Sequence, residues 1–142
     1  MPGIELETSA RGGHVVVALR GELDVSGAAD VEAAITAVVV PGQSLIIDMS
    51  ALDFMDCASL GALLRVRGLA RSFGGDVVLA APARRARRLL ALSGQEQAFR
   101  VHPSVEAAVA SNGSRRRLYA VPGPAVSTGP RGRAAPLGTG TG

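Results

Sequence analysis

The sequence predicts an α/β domain: a mixed β-sheet with helices mainly on one side, in the order ββαβαβαβα. Three observations predict this class. Two strand-like segments near the N-terminus are separated by a glycine pair, short apolar runs typical of buried strands recur further along, and segments with helical periodicity follow these runs. A hairpin followed by repeated β-α units places the later strands parallel, because each helical return brings the chain back to the same edge of the sheet.

The opening segments predict a hairpin and then a helix. Ile4 to Thr8 alternates apolar and charged residues, and His14 to Arg20 is mostly apolar and β-branched, with a turn at Arg11-Gly12-Gly13 between them. Ser26 is expected to cap a helix over residues 28–39, whose apolar stripe faces the sheet and which a Pro-Gly pair ends.

The rest of the domain alternates strand and helix. Ser44 to Asp48 is expected to be a central strand covered on both faces, because it is almost entirely apolar. The further predicted elements are a helix over residues 60–73, a strand over 77–80, an arginine-rich helix over 83–92, a strand over 99–101 and a closing helix over 104–110. With only three phenylalanines in the chain, valine, leucine, isoleucine and alanine must fill the core.

The charges divide the chain into two parts. Residues 1–111 carry ten arginines and all twelve acids, whereas residues 112–142 carry five arginines and no acid. We predict one folded domain over residues 1–111 and a disordered tail over residues 112–142, because the tail is dominated by glycine, proline, serine and threonine. The folded part is mildly acidic, so no direct DNA binding is expected from it.

Composition also disfavours several classes of protein. Apolar runs are far shorter than the ~20 residues that span a bilayer, and the N-terminus lacks the pattern of a signal peptide, so a cytoplasmic protein is expected. The single cysteine, Cys57, forms no internal disulfide and cannot by itself supply a four-ligand zinc site. No metal or other cofactor is expected, and the oligomeric state is left open.

The segment LIIDMSALDFMDCASLGALL, residues 45–64, carries the most information about function. A buried strand leads through an acidic loop into a helix that begins at Cys57 or Ala58. Asp56 stands just before this helix, where a carboxylate caps free backbone N–H groups and interacts favourably with the helix dipole. A helix N-terminus is also suited to hold a phosphate, so capping and a functional role for this turn are compatible.

Three motifs together resemble the signature of the STAS domain of anti-sigma factor antagonists. The first is Gly21-Glu22-Leu23-Asp24 after the second strand, and the second is an apolar strand ending at Asp48. The third is Phe54-Met55-Asp56-Cys57-Ala58-Ser59-Leu60-Gly61, where the family has Phe-x-Asp-Ser-Ser/Thr-Gly-Leu-Gly. The resemblance covers residues 4–110 and implies a STAS-like fold and a regulatory binding module that is not an enzyme.

The resemblance also implies a phosphorylation switch that this chain alters. In the family, the hydroxyl residue after the aspartate is phosphorylated by a partner anti-sigma factor, an ATP-binding serine kinase; the unphosphorylated form binds that partner and frees the sigma factor. Cys57 occupies this position here, and a thiol is not a substrate of a serine kinase. Ser59 is the candidate substitute acceptor, but it stands at the family's glycine and is rotated by about 200° around the helix, so a small packed residue is the alternative.

The resemblance implies a partner-binding surface formed by Asp24, Asp56, Cys57, Ser59, Leu60 and Gly61. Asp24 has an alternative role, because with Ser26 it can cap the first helix. We therefore predict an anti-sigma factor antagonist that regulates transcription and lacks the usual off-switch.

Three other functions stay open at this point. A STAS domain without a phosphoacceptor can be a structural or assembly subunit of a transporter or a stress-sensing complex. Cys57 can act in redox chemistry or as a nucleophile, although Asp56 disfavours the thiolate and no histidine or lysine lies nearby in the sequence. The basic tail can bind nucleic acid, which predicts strong salt dependence.

Overall fold

The structure is a computed structural model that describes residues 3–95 and 97–111. The predicted tail, residues 112–142, lies outside the described residues. The first of the two compact units of the chain covers Met1–Val109 and contains the five strands. Within the described ranges, no helix has both the length and the hydropathy needed to cross a membrane.

The elements follow the predicted order of strands and helices, which confirms the fold class. They are β1 (Ile4–Arg11), β2 (His14–Leu23), α1 (Val25–Thr36), β3 (Ser44–Met55), α2 (Cys57–Ser72), β4 (Asp76–Ala80), α3 (Arg84–Leu92), β5 (Arg100–His102) and α4 (residues 105–111).

The five strands form one mixed sheet in the order β1-β2-β3-β4-β5. Strands β1 and β2 are antiparallel, and every later neighbour is parallel. Gly12 and Gly13 form the two-residue hairpin turn with φ values of 57° and 81°, the left-handed conformations that a tight type I′ hairpin requires. Parallel β2 and β3 end together, at Leu23 and Met55, and so bring the starts of α1 and α2 to the same end of the sheet.

Alternate residues of the central strands face two different layers. Ile47 points into the main core, where Val31 of α1, Leu63 of α2 and Leu90 of α3 are also buried. Its neighbour Ile46 belongs to a smaller cluster on the other face, together with Val16, Val78, Val105 and Ala108. Three helices therefore cover one face of the sheet, as predicted, and α4 packs on the other.

Several predicted boundaries were wrong, and two of the differences have a clear physical reason. Strand β3 continues from Asp48 to Met55, because β2 also continues to Leu23 and the two strands stay paired through two register shifts. Helix α1 begins at Val25, three residues before the predicted start, because Asp24 and not Ser26 is its N-cap.

Gly21, in the first motif, has a structural requirement. Its φ is +102°, a conformation that residues with a Cβ rarely adopt, and the position where a Cβ would lie overlaps the backbone carbonyl of Gly3. The tight approach of β1 to this part of β2 therefore depends on glycine.

We expect Gly21→Ala to lower the free energy of unfolding by about 1–3 kcal/mol, because it forces a strained backbone and displaces Gly3. Gly68→Ala is the matched control: Gly68 lies in an exposed part of α2 with open space around it, so alanine should stabilise the helix by about 0.5–1 kcal/mol. Urea denaturation of both variants measures the two effects. Equal changes in both would contradict this account of Gly21.

Candidate functional site

The turns that carry Asp24 and Asp56 lie side by side. Leu23 and Met55 end β2 and β3 and pair with each other in the parallel register. Each strand is followed by one aspartate and then directly by a helix, so α1 and α2 begin next to each other at this end of the sheet. We call the surface formed by Asp24, Val25, Asp56 and Cys57, with Phe54 two residues before Asp56, the helix-start surface.

One carboxylate caps both helices. The Ser59 backbone N–H in α2 donates to Oδ1 of Asp56 at 2.9 Å, which is the N-cap bond of that helix. The Val25 backbone N–H, at the first position of α1, donates to Oδ2 of the same side chain at 3.0 Å. Asp56 is therefore the predicted cap of α2, and it also ties α2 to α1.

Ser59 is a buried structural residue. Its side chain has no solvent exposure. Its Oγ lies 2.9 Å from the Leu23 carbonyl oxygen and 2.7 Å from Oδ1 of Asp56, so its single hydroxyl proton has two acceptors. The Ser59 hydroxyl is therefore packed inside the start of α2, and its role as a substitute phosphoacceptor stays a prediction.

The predicted partner-binding residues separate into exposed and buried groups. Cys57 is exposed at the first position of α2, and Asp24 and Asp56 are half-buried. Ser59 and Leu60 are buried, and Leu60 belongs to the main core; their contact with a partner stays a prediction. Gly61 is half-buried.

Asp24 caps α1 through two hydrogen bonds from one residue. Its Oδ1 accepts the Ser26 backbone N–H at 3.0 Å and the Ser26 hydroxyl at 2.6 Å. The hydroxyl bond is the largest of the causes that hold the pKa of Asp24 below its ordinary value, followed by the bond from the backbone N–H. The alternative role predicted for Asp24, as a cap together with Ser26, is thus present in the structure.

The sequence pattern did not predict that two apolar residues of the helix-start surface are exposed. Val25 is 72% exposed and Phe54 is 39% exposed, although both are large and apolar. The exposed acids Glu22 and Asp53 lie beside Phe54, the first as its partner across the strands and the second as its neighbour in the chain. Apolar contacts with acids around them are typical of protein-binding surfaces. The sequence signal for this exposed surface is Phe54, an aromatic residue that lies between Asp53 and Asp56 at the end of a strand.

An ion pair links α1 and α2, the two helices that begin at the helix-start surface. Arg65 of α2 donates two hydrogen bonds to Oε1 of Glu32 in α1, from Nε at 3.0 Å and from Nη2 at 2.9 Å, and Nε also lies 3.1 Å from Oε2. The Arg65 hydrogen bond lowers the pKa of Glu32 and raises that of Arg65.

Within the described residues, no group of three or more histidine, cysteine, aspartate or glutamate side chains is arranged to hold a metal ion.

We expect Asp56→Ala to lower the free energy of unfolding by about 2 kcal/mol, because two helices lose a capping acceptor. Asp56→Asn should cost less, since asparagine keeps one side-chain oxygen and can serve one helix. Asp53→Ala, which removes an exposed acid without a hydrogen bond among the described residues, should have little effect. A loss for Asp56→Ala no larger than that for Asp53→Ala in thermal denaturation would refute the double cap.

The Glu32–Arg65 pair predicts a pH dependence. Because folding lowers the pKa of Glu32, the stabilisation is present above the ordinary carboxyl pKa of 4.5 and is lost as the pH falls through the lower folded value. Glu32→Gln should therefore be less stable than wild type at neutral pH, and the difference should vanish in acid. Glu7→Gln on exposed β1 controls for the loss of one negative charge. A Glu32→Gln difference in Tm that stays constant with pH would contradict the role of the ion pair.

Comparisons with known proteins agree with this architecture. The family model described as the STAS domain matches residues 5–108. The anti-sigma-F factor antagonist RsfA of Mycobacterium tuberculosis is 27% identical over 100 residues, which cover 68% of this chain and 78% of RsfA.

Solved structures of similar proteins share this fold. An anti-sigma factor antagonist from Mycobacterium paratuberculosis matches with a TM-score of 0.70 and 28% identity, covering 79% of this chain and 97% of that one. SpoIIAA, a Bacillus cell fate determinant, matches in its phosphorylated form with a TM-score of 0.58 and 25% identity, covering 76% of this chain and 97% of SpoIIAA. From its sheet topology, its helix-start motif and these matches, the chain belongs to the STAS-domain family and is similar to anti-sigma factor antagonists.

Proposed function

We propose that this chain is an anti-sigma factor antagonist that binds an anti-sigma factor through the helix-start surface and thereby releases a sigma factor for transcription. The observation that carries the proposal is the position of Cys57. It is exposed at the first turn of α2, at the place where the family carries its phosphorylated hydroxyl. The names of the similar proteins from two mycobacteria support the same function.

The chemistry of the helix-start surface suits reversible binding of a protein. Val25 and Phe54 offer apolar contact area, and Asp24, Asp56 and their acidic neighbours favour a partner with basic residues. The acceptor atoms of Asp56 are already bonded to the two helices, so a partner meets a preorganised surface.

Cys57 makes the antagonist constitutively active in this proposal. In related antagonists a phosphate next to the aspartate adds about −1.5 to −2 charges at a surface that already carries carboxylates, which opposes binding through repulsion and desolvation. A thiol does not accept phosphate from a serine kinase, Ala58 has no hydroxyl, and the Ser59 hydroxyl is buried. The partner kinase then has no accessible serine or threonine in the first turn of α2.

The proposal is tested by incubating the protein with the ATP-binding anti-sigma factor of its source organism and ATP. Wild type should bind and stay unmodified, whereas Cys57→Ser should become phosphorylated at residue 57 and lose affinity. Ala58→Ser is the matched control, because its hydroxyl is also exposed but lies about 100° further around the helix. Mass spectrometry locates the phosphate, and titration calorimetry measures the affinity.

A charge at position 57 should reproduce the effect of phosphate. We expect Cys57→Glu to weaken binding at least about tenfold, because the carboxylate lies next to Asp56 at an interface centre. Phosphate on Ser59 of the wild type would disprove constitutive activity. Failure of the wild type to bind any anti-sigma factor, with co-purification of a transporter or sensor complex, would instead assign the chain to the assembly class.

A further inference from the structure

We propose that the outer face of α3 binds an acidic segment of a protein partner, at a surface separate from the helix-start surface. This basic surface consists of Arg84, Arg85, Arg87 and Arg88, with Leu92 at the end of the helix. All five residues are exposed, and Leu92 is 79% exposed. No acid interrupts the helix.

The four guanidinium groups share one side of α3. Ala86 and Leu90 are the buried residues of the helix and fix the side that packs on the sheet. At about 100° per residue, the four arginines fall on the remaining, outward side within two helical turns. The result is a compact concentration of positive charge on a domain whose net charge is negative.

These arginines differ in their contacts from five of the six other arginines of the domain; Arg100, like them, forms no ion pair among residues 3–95 and 97–111. Arg11, Arg20, Arg65, Arg67 and Arg71 each form an ion pair with a carboxylate. Within residues 3–95 and 97–111, no such ion pair involves an arginine of α3. Their planar donor groups are therefore open to an external acceptor, for which carboxylates are well matched because they bind guanidinium groups in pairs of hydrogen bonds.

Helix α3 also departs from the local rules that stabilise helices. Its N-cap, Ala83, makes no side-chain hydrogen bond, and the first turn contains no acid. Arg84 and Arg85 lie instead at the end where the helix dipole is positive, which is unfavourable for cations. Such a departure marks a segment whose residues serve something other than stability.

An acidic protein segment fits this surface better than nucleic acid or a lipid bilayer. The helix is about 13 Å long, has no aromatic side chain for stacking on bases, and belongs to a domain whose net negative charge opposes long polyanions. Its apolar side is buried in the domain and cannot insert between lipids. Leu92 adds an apolar contact to a charged surrounding, the composition expected of a protein interface.

The basic surface is distinct from the helix-start surface. Helix α3 follows β4, whose last residue, Ala80, pairs with Asp48 of β3. Met55, at the helix-start surface, is the seventh residue after Asp48 in β3, which corresponds to about 20 Å along the strand. One partner can occupy the helix-start surface while another, or a second part of the same partner, occupies α3.

The test compares two variants of the full chain that lose the same number of charges. R84Q/R85Q/R87Q/R88Q removes the basic surface, and R11Q/R20Q/R71Q/R100Q removes four exposed arginines elsewhere. The probe is a short fluorescent peptide of glutamate and leucine, titrated by anisotropy at physiological salt. The α3 variant should bind the peptide at least about tenfold more weakly than wild type. The control variant should lose less than about twofold in affinity. Both variants keep the five arginines of the tail, so a difference between them reports on α3.

Two further measurements keep the result interpretable. Tm of the α3 variant should be unchanged or higher, because glutamine favours helix and removes cations from the wrong end of the dipole. Leu92→Ser in the otherwise wild-type chain should also weaken peptide binding, without lowering Tm. An equal loss in both arginine variants would overturn the proposal. Tighter α3-dependent binding to a DNA duplex, or to vesicles containing phosphatidylserine, would also overturn it.

Discussion

The two hydrogen bonds that Asp56 accepts on its two carboxylate oxygens hold together the end of the sheet where function is proposed. Helices α1 and α2 are separated by β3 in the chain, yet their first turns share this one side chain. The Leu23 carbonyl completes the arrangement by accepting the Ser59 hydroxyl. Cys57 is therefore displayed at a position that three chain segments define, which gives a partner a rigid target.

The same geometry separates residues that hold the turn from residues that are exposed at it. Neighbours in one motif differ in this respect: Asp56 and Ser59 form hydrogen bonds to the backbone, whereas Cys57 is exposed. In the proposed function, an exchange between serine and cysteine at position 57 alters regulation while the fold is kept. The structural cost of the exchange is small because the side chain is exposed.

The periodicity of the sequence was sufficient to predict the strand and helix order, the two-sided burial of the central strand and the capping aspartate of α2. It did not predict the second half of β3, because Ser50, Asp53 and Phe54 are exposed and read as a polar loop; only pairing with β2 makes them a strand. The burial of Ser59 could not be predicted either, since its acceptor on Leu23 lies 36 residues away in the chain. Local rules thus located the start and cap of α2, whereas tertiary contacts determined which side chains face outward.

The parallel pairing of Leu23 with Met55 has a consequence for assembly of the protein. Parallel neighbours are far apart in the chain, so this pairing forms only after a long loop has closed and α1 has been placed between them. A nascent or partly unfolded chain lacks the surface even when the residues of its central motif have been synthesised. In the proposed function, a partner that recognises this surface would bind only folded molecules.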